Sequence, residues 1–308
     1  MFNDKTLLIT GGTGSFGKSF LRYCQKHSIT FKKIILFSRD ELKHYTLQQE
    51  FPKTHNFEYV IGDVRDKERL NQVFTEANII IHAAAMKHVP ICEENPEECF
   101  KTNVLGAKNL IDCFKNSHNS KQLIAISTDK AVMPNNVYGN SKKEAEQLFL
   151  QANTLNKKIS VVRYGNVFGA SGSIVPAIVS QQESGVISIT DARMMRYFLS
   201  SNEAVEAVLH LIKAQQGGEI LIPKCKLIKI IDLVKIIAPN CEIKFTGIRK
   251  GEKLTENLFS EEEQDFLQDS GKYFVLLPNI KKAIDINSFQ PQMLTSEEVQ
   301  TYLEQWKK

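Results

Sequence analysis

The sequence predicts an α/β fold, a Rossmann-type doubly wound parallel sheet with a smaller C-terminal α/β substrate domain. Three observations predict it. Short Ile- and Val-rich runs alternate with amphipathic stretches through the first half of the chain. A glycine-rich turn follows the first of those runs, where a nucleotide-binding sheet places one. After Arg163 the alternation loosens into a Gly- and Ser-rich stretch, marking a change of organisation. The 308 residues are enough for one or two domains with a sizeable core.

The predicted strands are "TLLIT" (6–10), "KIILF" (33–37), "FEYVI" (57–61), "NIIIHA" (78–83), "LIAIS" (123–127) and "ISVVR" (159–163). They are short and apolar throughout, as strands covered on both faces must be. Helices are predicted between them. The first spans 16–27, with Phe20, Leu21 and Cys24 on one side, and the second 67–76, with Leu70, Val73 and Phe74. A third covers 100–116, carrying Val104, Ala107, Leu110, Ile111 and Phe114, and a fourth 138–154, with Ala145, Leu148 and Phe149. Beyond the loose stretch 165–200 come a helix at 202–213, a strand at 219–222, a helix at 230–237 and a strand at 242–245. Thr295 with Glu298 three residues on has the form of a capping box and opens a terminal helix. The expected division is 1–165 for the dinucleotide-binding domain and 166–308 mainly for the substrate domain, with exchange of segments between them allowed.

A net charge of +4 without a basic cluster interleaved with aromatics argues against nucleic acid as partner and suits an anionic small molecule equally well. The six cysteines form no C-x-x-C pair and have no histidine cluster beside them, so they are expected to be reduced, mostly buried thiols, and no metal site is expected. No apolar run approaches the roughly 20 residues of a membrane helix, and Lys5 and the short "LLIT" do not make a signal peptide, so a cytoplasmic location is expected.

Gly11, Gly14 and Gly17 recur at three-residue spacing between the first strand and the first helix. Glycines there let the backbone turn sharply and approach a pyrophosphate, whose charge sits at the helix N-terminus. At the end of the second strand stand Ser38 and Arg39, with Lys43 one helical turn on. A hydroxyl and two cations suit the 2′-phosphate of NADP, whereas Asp40 argues for the free hydroxyl of NAD. Asp63 and Val64 follow the third strand. Asp63 has two readings, a clamp for the adenine edge with Val64 or a cap for the next helix.

Tyr138 and Lys142 share a helix face at i, i+4. A cation beneath a phenol favours phenolate, which can take a proton from a hydroxyl while hydride leaves the carbon. Asp129 and Lys130 lie side by side at the end of the preceding strand. A plain dehydrogenase has no need of them, and they can be read as a solvated turn pair or as a second acid and base.

Together "TGGTGSFG", "HAAAMKHVP", "STDK", "YGNSK" and "RYGNV" resemble the extended short-chain dehydrogenase/reductases. More narrowly, "SRDELK", "GDVRDKERL", "AAAMKHVPICEENP", "STDKA", "GGEILIPK" and "GIRKGEKLTE" resemble the inverting UDP-N-acetylglucosamine 4,6-dehydratases of pseudaminic acid and related surface-glycan synthesis. The similarity runs to about Asn279; the tail beyond it and Ser171, where an arginine is expected, depart from the pattern. The resemblance implies a hydro-lyase that oxidises C4 through Tyr138, removes the C5 proton with Lys130, expels the C6 hydroxyl with Asp129 as acid, and inverts C5. Retaining relatives carry a glutamate in place of Lys130. It implies tightly bound NADP, regenerated each turn and contacted by Thr13, Ser15, Phe16, Ala83, Lys87, Thr102, Asn103 and Val167 besides the residues already named. It implies UDP-N-acetylglucosamine contacts from Lys87, Thr128, Asn166, Val175, Arg196, Arg249 and Glu252, and a homo-oligomer, dimer or hexamer. Arg193 is a further diphosphate candidate, with surface or interface roles competing for it and for Arg196. Two other readings use the same fold. A UDP-sugar epimerase needs Tyr138 and Lys142 but not the Asp129–Lys130 pair, and a non-catalytic NADP sensor needs neither pair.

Overall fold

A computed structural model describes residues 2–52, 56–277, 280 and 291–307. Its strands are β1 Phe2–Thr10, β2 Phe31–Ser38, β3 Phe57–Ile61, β4 Ile79–His82, β5 Gln122–Thr128 and β6 Lys158–Tyr164, followed by β7 Asn166–Val167, β8 Val186–Ile189, β9 Met195–Leu199, β10 Ile220–Pro223, β11 Lys226–Lys229, β12 Glu242–Phe245, β13 Leu267–Ser270 and β14 Tyr273–Leu276. One large sheet runs in the order β13-β14-β10-β6-β5-β4-β1-β2-β3. From β3 to β10 every pairing is parallel, and β14 and β13 close the far edge antiparallel. Leu7, Leu8, Ile9, Ile80 and Ile81 are fully or almost fully buried, because helices cover both faces of the sheet.

Strand order reverses between β1 and β4, which pair in register from Leu7↔Ile79 to Thr10↔His82. There Thr10 Oγ1 and His82 Nδ1 are hydrogen-bonded at 2.8 Å in the buried interior. Connections leave this point toward opposite faces, so the carboxyl ends of the strands open a crevice, the place where such sheets bind ligands. The glycine turn after β1, the Ala83–His88 loop after β4, Asp129 and Lys130 after β5 and Asn166 after β6 all start from that edge.

A second core gathers Phe168, Val175, Ile178, Ile187, Met194, Phe198, Leu233, Val234, Val299 and Leu303. It lies among the sheets β11-β9-β7 and β12-β8 and the helices Ile174–Gln181, Ile230–Ile237 and Ser296–Lys307. The two cores are not separated by one cut at residue 165. The helix Ser201–Ala214 and β10, β13 and β14 return to the large sheet. In β9 the alternation of side chains sends Tyr197 and Leu199 to the first core and Phe198 to the second. The capping box at Thr295 and Glu298 forms: Glu298 Oε2 accepts from Thr295 N at 3.1 Å and Thr295 Oγ1 from Glu298 N at 3.3 Å. The divergent stretch 281–290 lies outside the described residues. Among the described residues no helix is long and apolar enough to cross a membrane. Five cysteines are buried and Cys241 is half-buried, all as free thiols.

The single helix expected over 100–116 is not continuous in type. Pro96–Phe100 runs into a π-helical turn over Lys101–Leu105, and regular α geometry resumes at Gly106–Asn116. The wider turn shifts the faces on which Thr102 and Asn103 fall.

Arg163 is a buried cation, 2 % exposed within β6. It forms a two-pronged bond to Glu146 on the helix Val137–Gln151, Nε to Oε1 at 3.1 Å and Nη2 to Oε2 at 2.8 Å. A second fork reaches Glu263, at 2.8 and 2.9 Å, and Nη1 also donates to the Leu258 carbonyl at 3.3 Å. Removing one partner of a buried pair strands the other charge. Arg163→Ala is therefore expected to cost about 3–5 kcal/mol, read from the urea unfolding midpoint.

Candidate active site

The glycine turn is built for close approach. Gly11 has φ +69°, and its amide donates to the Phe37 carbonyl at 2.8 Å. A Cβ on it would lie 2.7 Å from the Ala84 nitrogen, and one on Gly17 would lie 2.0 Å from the Gly12 carbonyl oxygen. Only glycine allows the turn to nest against the Ala83–Ala84 backbone. Gly14 is the N-cap of the helix Ser15–Lys26 and brings no side chain to its first amides. That N-terminus fits a pyrophosphate. Phe16 packs on the core side against Phe20, ring centroids 6.0 Å apart.

At the end of β2, Thr13 Oγ1 meets Ser38 Oγ at 2.7 Å, and Ser38 Oγ meets His44 Nε2 at 2.9 Å. His44 is buried, and burial pushes its pKa down, which favours a neutral ring. Asp40 caps the helix Glu41–Glu50 by accepting from Lys43 N at 3.0 Å, and its carboxylate also pairs with Lys43 Nζ at 2.8 Å. The acidic residue that argued for NAD is thus occupied as a cap. Arg39 stays exposed, with Nη1 3.6 Å from Asp63 Oδ2. Asp63 does not cap the following helix; Asp66 does, accepting from Arg69 N at 2.9 Å. Asp63 is held instead by the backbone and guanidinium of Arg65, at 2.7–3.0 Å, which holds its carboxyl below the usual range against the opposing effect of burial. The Val64 side chain lies in the core against Gly106, where a Cβ would meet it at 2.7 Å.

The catalytic candidates stand on two adjoining elements. Thr128 ends β5, and its hydroxyl donates to Asp129 Oδ1 at 3.0 Å. Lys130 Nζ donates to the same oxygen at 3.0 Å. Asp129 is wholly buried, and its other oxygen, Oδ2, has no hydrogen-bond partner. Asn136 caps the next helix by accepting from Gly139 N at 2.8 Å, and this sets the helix so that Tyr138 and Lys142 are both buried. Burial pushes the Tyr138 phenol well up, with the Asp129 charge adding to it, while the Thr128 hydroxyl lowers it. Burial brings Lys142 down to about 8 from the ordinary 10.5, while Glu146 holds it up. Its Nζ donates to the Ile126 carbonyl at 2.7 Å. Asp129 and Lys130 are therefore not a solvated turn pair, since the acid is sealed and the lysine side chain is only 18 % exposed.

Other expectations are redistributed. Asn103 does not offer its carboxamide to the cleft. Oδ1 accepts from Met86 N at 2.8 Å, and Nδ2 donates to Met86 O and Ser141 Oγ at 2.9 Å each. It ties the Ala83–His88 loop to the helix Val137–Gln151. Thr102 is buried with its hydroxyl unpaired. Lys87 is exposed, and its Nζ donates to the Ser171 carbonyl at 2.6 Å. Ser171 in turn meets Ser15, its amide 3.0 Å from Ser15 Oγ, so the loop that departs from the family pattern lies over the glycine turn. Asn166 is half-buried beside Val167 in β7, and its Nδ2 has no partner. Val175 is fully buried in the second core, which leaves only its backbone, in the first turn of Ile174–Gln181, for a ligand. Arg196 is also buried, 7 % exposed. Its Nη1 donates to the Met195 and Leu254 carbonyls at 2.8 and 3.0 Å, and Nη2 lies 3.8 Å from Glu252. It braces the Arg249–Glu256 segment instead of presenting a free guanidinium. Arg193 is exposed and paired with Asp191. Arg249 is exposed, and its amide is 3.3 Å from Glu252 Oε2.

The sequence model of the family described as "Polysaccharide biosynthesis protein" matches residues 7–278. The chain belongs to that family. Within it, the chain is 46% identical over 91% of its length to the UDP-N-acetylglucosamine 4,6-dehydratase (inverting) of Campylobacter jejuni, covering 85% of that protein. It is 37% identical, over 89% of its length and 83% of the relative's, to a UDP-glucose 4-epimerase of Rickettsia felis. Among solved structures, Pen from Bacillus thuringiensis superposes with a TM-score of 0.91 at 32% identity, covering 99% of this chain and 98% of that one. These similarities cover both cores of this family member, so the returning strands β10, β13 and β14 belong to the shared architecture.

Sequence reasoning missed three buried polar residues beside the site, Arg163, His44 and Glu256. Arg163 had a signal, a charge inside an apolar strand, which must find a partner. His44 and Glu256 had none, because their partners are set by packing.

The buried Lys142 gives a linkage with a definite sign. Its folded pKa is depressed, so the charged form is penalised in the folded protein below about pH 8, and stability recovers as pH rises from about 8 toward 10.5. Lys142→Met should thus raise stability at pH 7 on the order of 1–2 kcal/mol, the relief of burial less one lost hydrogen bond, with the gain shrinking above pH 8. Urea titrations at pH 7 and 9.5 check this, alongside loss of turnover.

Proposed function

We propose that the protein catalyses 4,6-dehydration of UDP-N-acetylglucosamine with inversion at C5, as a hydro-lyase. One observation carries the reading: Asp129 and Lys130, hydrogen-bonded at 3.0 Å at the end of β5, stand beside the buried Tyr138–Lys142 helix. The dehydratase relative at 46% identity supports the same chemistry.

A nicotinamide dinucleotide held along the glycine turn would accept hydride from C4 and return it to C6. The residues do the rest. Tyr138 takes the C4 hydroxyl proton, and Lys142 beneath it favours the phenolate. The C4 ketone makes the C5 proton acidic, and Lys130 removes it. Asp129, through the oxygen that has no partner in the protein, gives its proton to the C6 hydroxyl, which departs as water. A solvent proton added to C5 on the other face inverts that centre, and Lys130 passes its proton to Asp129, 3.0 Å away, which resets the pair. Arg249 and Glu252 take the uridine diphosphate end, and Asn166 contacts the substrate through its unpaired amide. We assign NADP over NAD because Arg39 is exposed beside Ser38 while Asp40 is spent as a cap. The Rickettsia relative makes epimerisation the second reading. A dehydratase product is lighter by one water, whereas an epimerised sugar keeps its mass, so mass spectrometry after mixing with UDP-N-acetylglucosamine separates the two.

Arg39→Glu is expected to weaken NADP binding about tenfold or more relative to NAD, because a charge-assisted contact becomes repulsive. Calorimetric titration with both cofactors reads it, and equal losses would remove Arg39 from 2′-phosphate recognition. Lys130→Ala is expected to lower dehydration on the order of 100-fold or more, as loss of a general base does. The 4-keto sugar should persist with no deuterium at C5 in deuterated water. Product release at the normal rate would take the base role from Lys130.

A further inference from the structure

Glu256 is only 1 % exposed, yet it carries a carboxylate. It reaches the site from a distant segment, Arg249–Glu256, which is docked on the catalytic region in three places. Asn136 Nδ2 donates to the Gly251 carbonyl at 2.8 Å, Met195 N donates to the Leu254 carbonyl at 2.8 Å, and Lys253 Nζ donates to the Val132 carbonyl at 2.9 Å. Glu256 lies between two lysines. Oε1 is 3.8 Å from Lys130 Nζ, and Oε2 is 3.3 Å from Lys253 Nζ but accepts no hydrogen bond. Lys130 is thus flanked by two carboxylates from different elements, Asp129 from its own turn and Glu256 from the downstream segment.

We propose that Glu256 is a positioning residue for Lys130. The inference rests on the dehydratase reading above and deepens it. A lysine amine ends a flexible four-carbon stem, and one neighbour in the same turn does not fix its direction. Glu256 supplies the second anchor from a segment held by three hydrogen bonds to other elements. It also meets the charge that forms. When the C5–H bond breaks, its electron pair makes the C5–C6 double bond and the C6–O bond breaks. The C5 proton passes to the Lys130 amine, and the Asp129 proton leaves with the C6 oxygen as water. Lys130 gains positive charge in this step, and a preorganised buried carboxylate facing it stabilises that charge without reorganising. Because the same segment carries Arg249 and Glu252, the nucleotide grip and the aim of the base belong to one structural unit.

The competing account makes Glu256 only the counter-ion of Lys253. Glu256→Gln and the double variant E256Q/K253M separate the two, since the double variant removes both charges of that pair. Each protein, with the unmodified one beside it, is mixed with UDP-N-acetylglucosamine in deuterated water. C4 oxidation, deuterium uptake at C5 and dehydrated product are followed, and UDP affinity is measured by calorimetry. Glu256→Gln is expected to keep UDP affinity and C4 oxidation within about twofold while C5 exchange falls at least about tenfold, the cost of misplacing a reacting group. Adding Lys253→Met should not restore exchange. Exchange at the unmodified rate in Glu256→Gln, its recovery in the double variant, or an equal fall in oxidation and exchange would each overturn the positioning role. If the unmodified protein yields no dehydrated product, the dehydratase reading falls and takes this role with it. Dehydration by the unmodified protein with normal exchange in Glu256→Gln removes the role of Glu256 alone.

Discussion

The buried guanidinium of Arg163 joins three parts of the molecule that have to agree if there is to be an active site at all. It sits in β6, grips Glu146 on the helix that carries Tyr138 and Lys142, and reaches Leu258 and Glu263 on the segment that follows Glu256. Burial lowers its pKa, but the two carboxylates outweigh that and hold it above the ordinary arginine value. Such a cluster adds little net stability against an apolar substitute, yet it tolerates few alternative arrangements, because any shift leaves a charge without a partner. Glu146 faces in two directions, bonding Arg163 and raising the pKa of Lys142 one helical turn earlier. The clamp that fixes the helix therefore also tunes its lysine.

Around this clamp the site is assembled from ends. The strand order reverses at β1 and β4, and the glycine turn, the Ala83–His88 loop, and Asp129 with Lys130 all leave the carboxyl edge of the sheet. The polar groups that hold these loops are mostly consumed within the protein: Asn103 on Met86 and Ser141, Asn136 on Gly139 and Gly251, Lys87 on Ser171. Among the buried polar atoms without a partner in the protein are three at the same edge, Asp129 Oδ2, Ser127 Oγ and Asn166 Nδ2. Buried polar atoms ordinarily find partners, so this remainder marks where a ligand's own donors and acceptors belong.

Burial also divides the labour among titratable groups. Lys142 and Tyr138 are both sealed, and desolvation pushes the ammonium down and the phenol up. Lowering the phenol again takes a positive charge nearby. Asp129 and Lys130 are arranged differently, as a bonded carboxylate–amine pair with the second carboxylate of Glu256 on the lysine.

The sequence by itself determined the parallel strands β1 to β6, the glycine turn, the helix spacing of Tyr138 and Lys142, and the capping box at Thr295 and Glu298. Each is a local pattern, in which the physical cause lies within a few residues of the effect. Only the tertiary structure decided that β13 and β14 return antiparallel to the large sheet, that a π-helical turn interrupts 100–116, and that Asp66 rather than Asp63 caps its helix. It likewise decided that Val175 and Arg196 are buried and that Glu256 faces Lys130. A residue's type and spacing state what it can do, but whether its polar atoms are free or already spent depends on partners brought from far along the chain by packing. Arg196 illustrates the difference: in sequence it is a cation available to a diphosphate, and in the folded protein its Nη1 is bound to the Met195 and Leu254 carbonyls, because the β9 strand and the Arg249–Glu256 segment meet there.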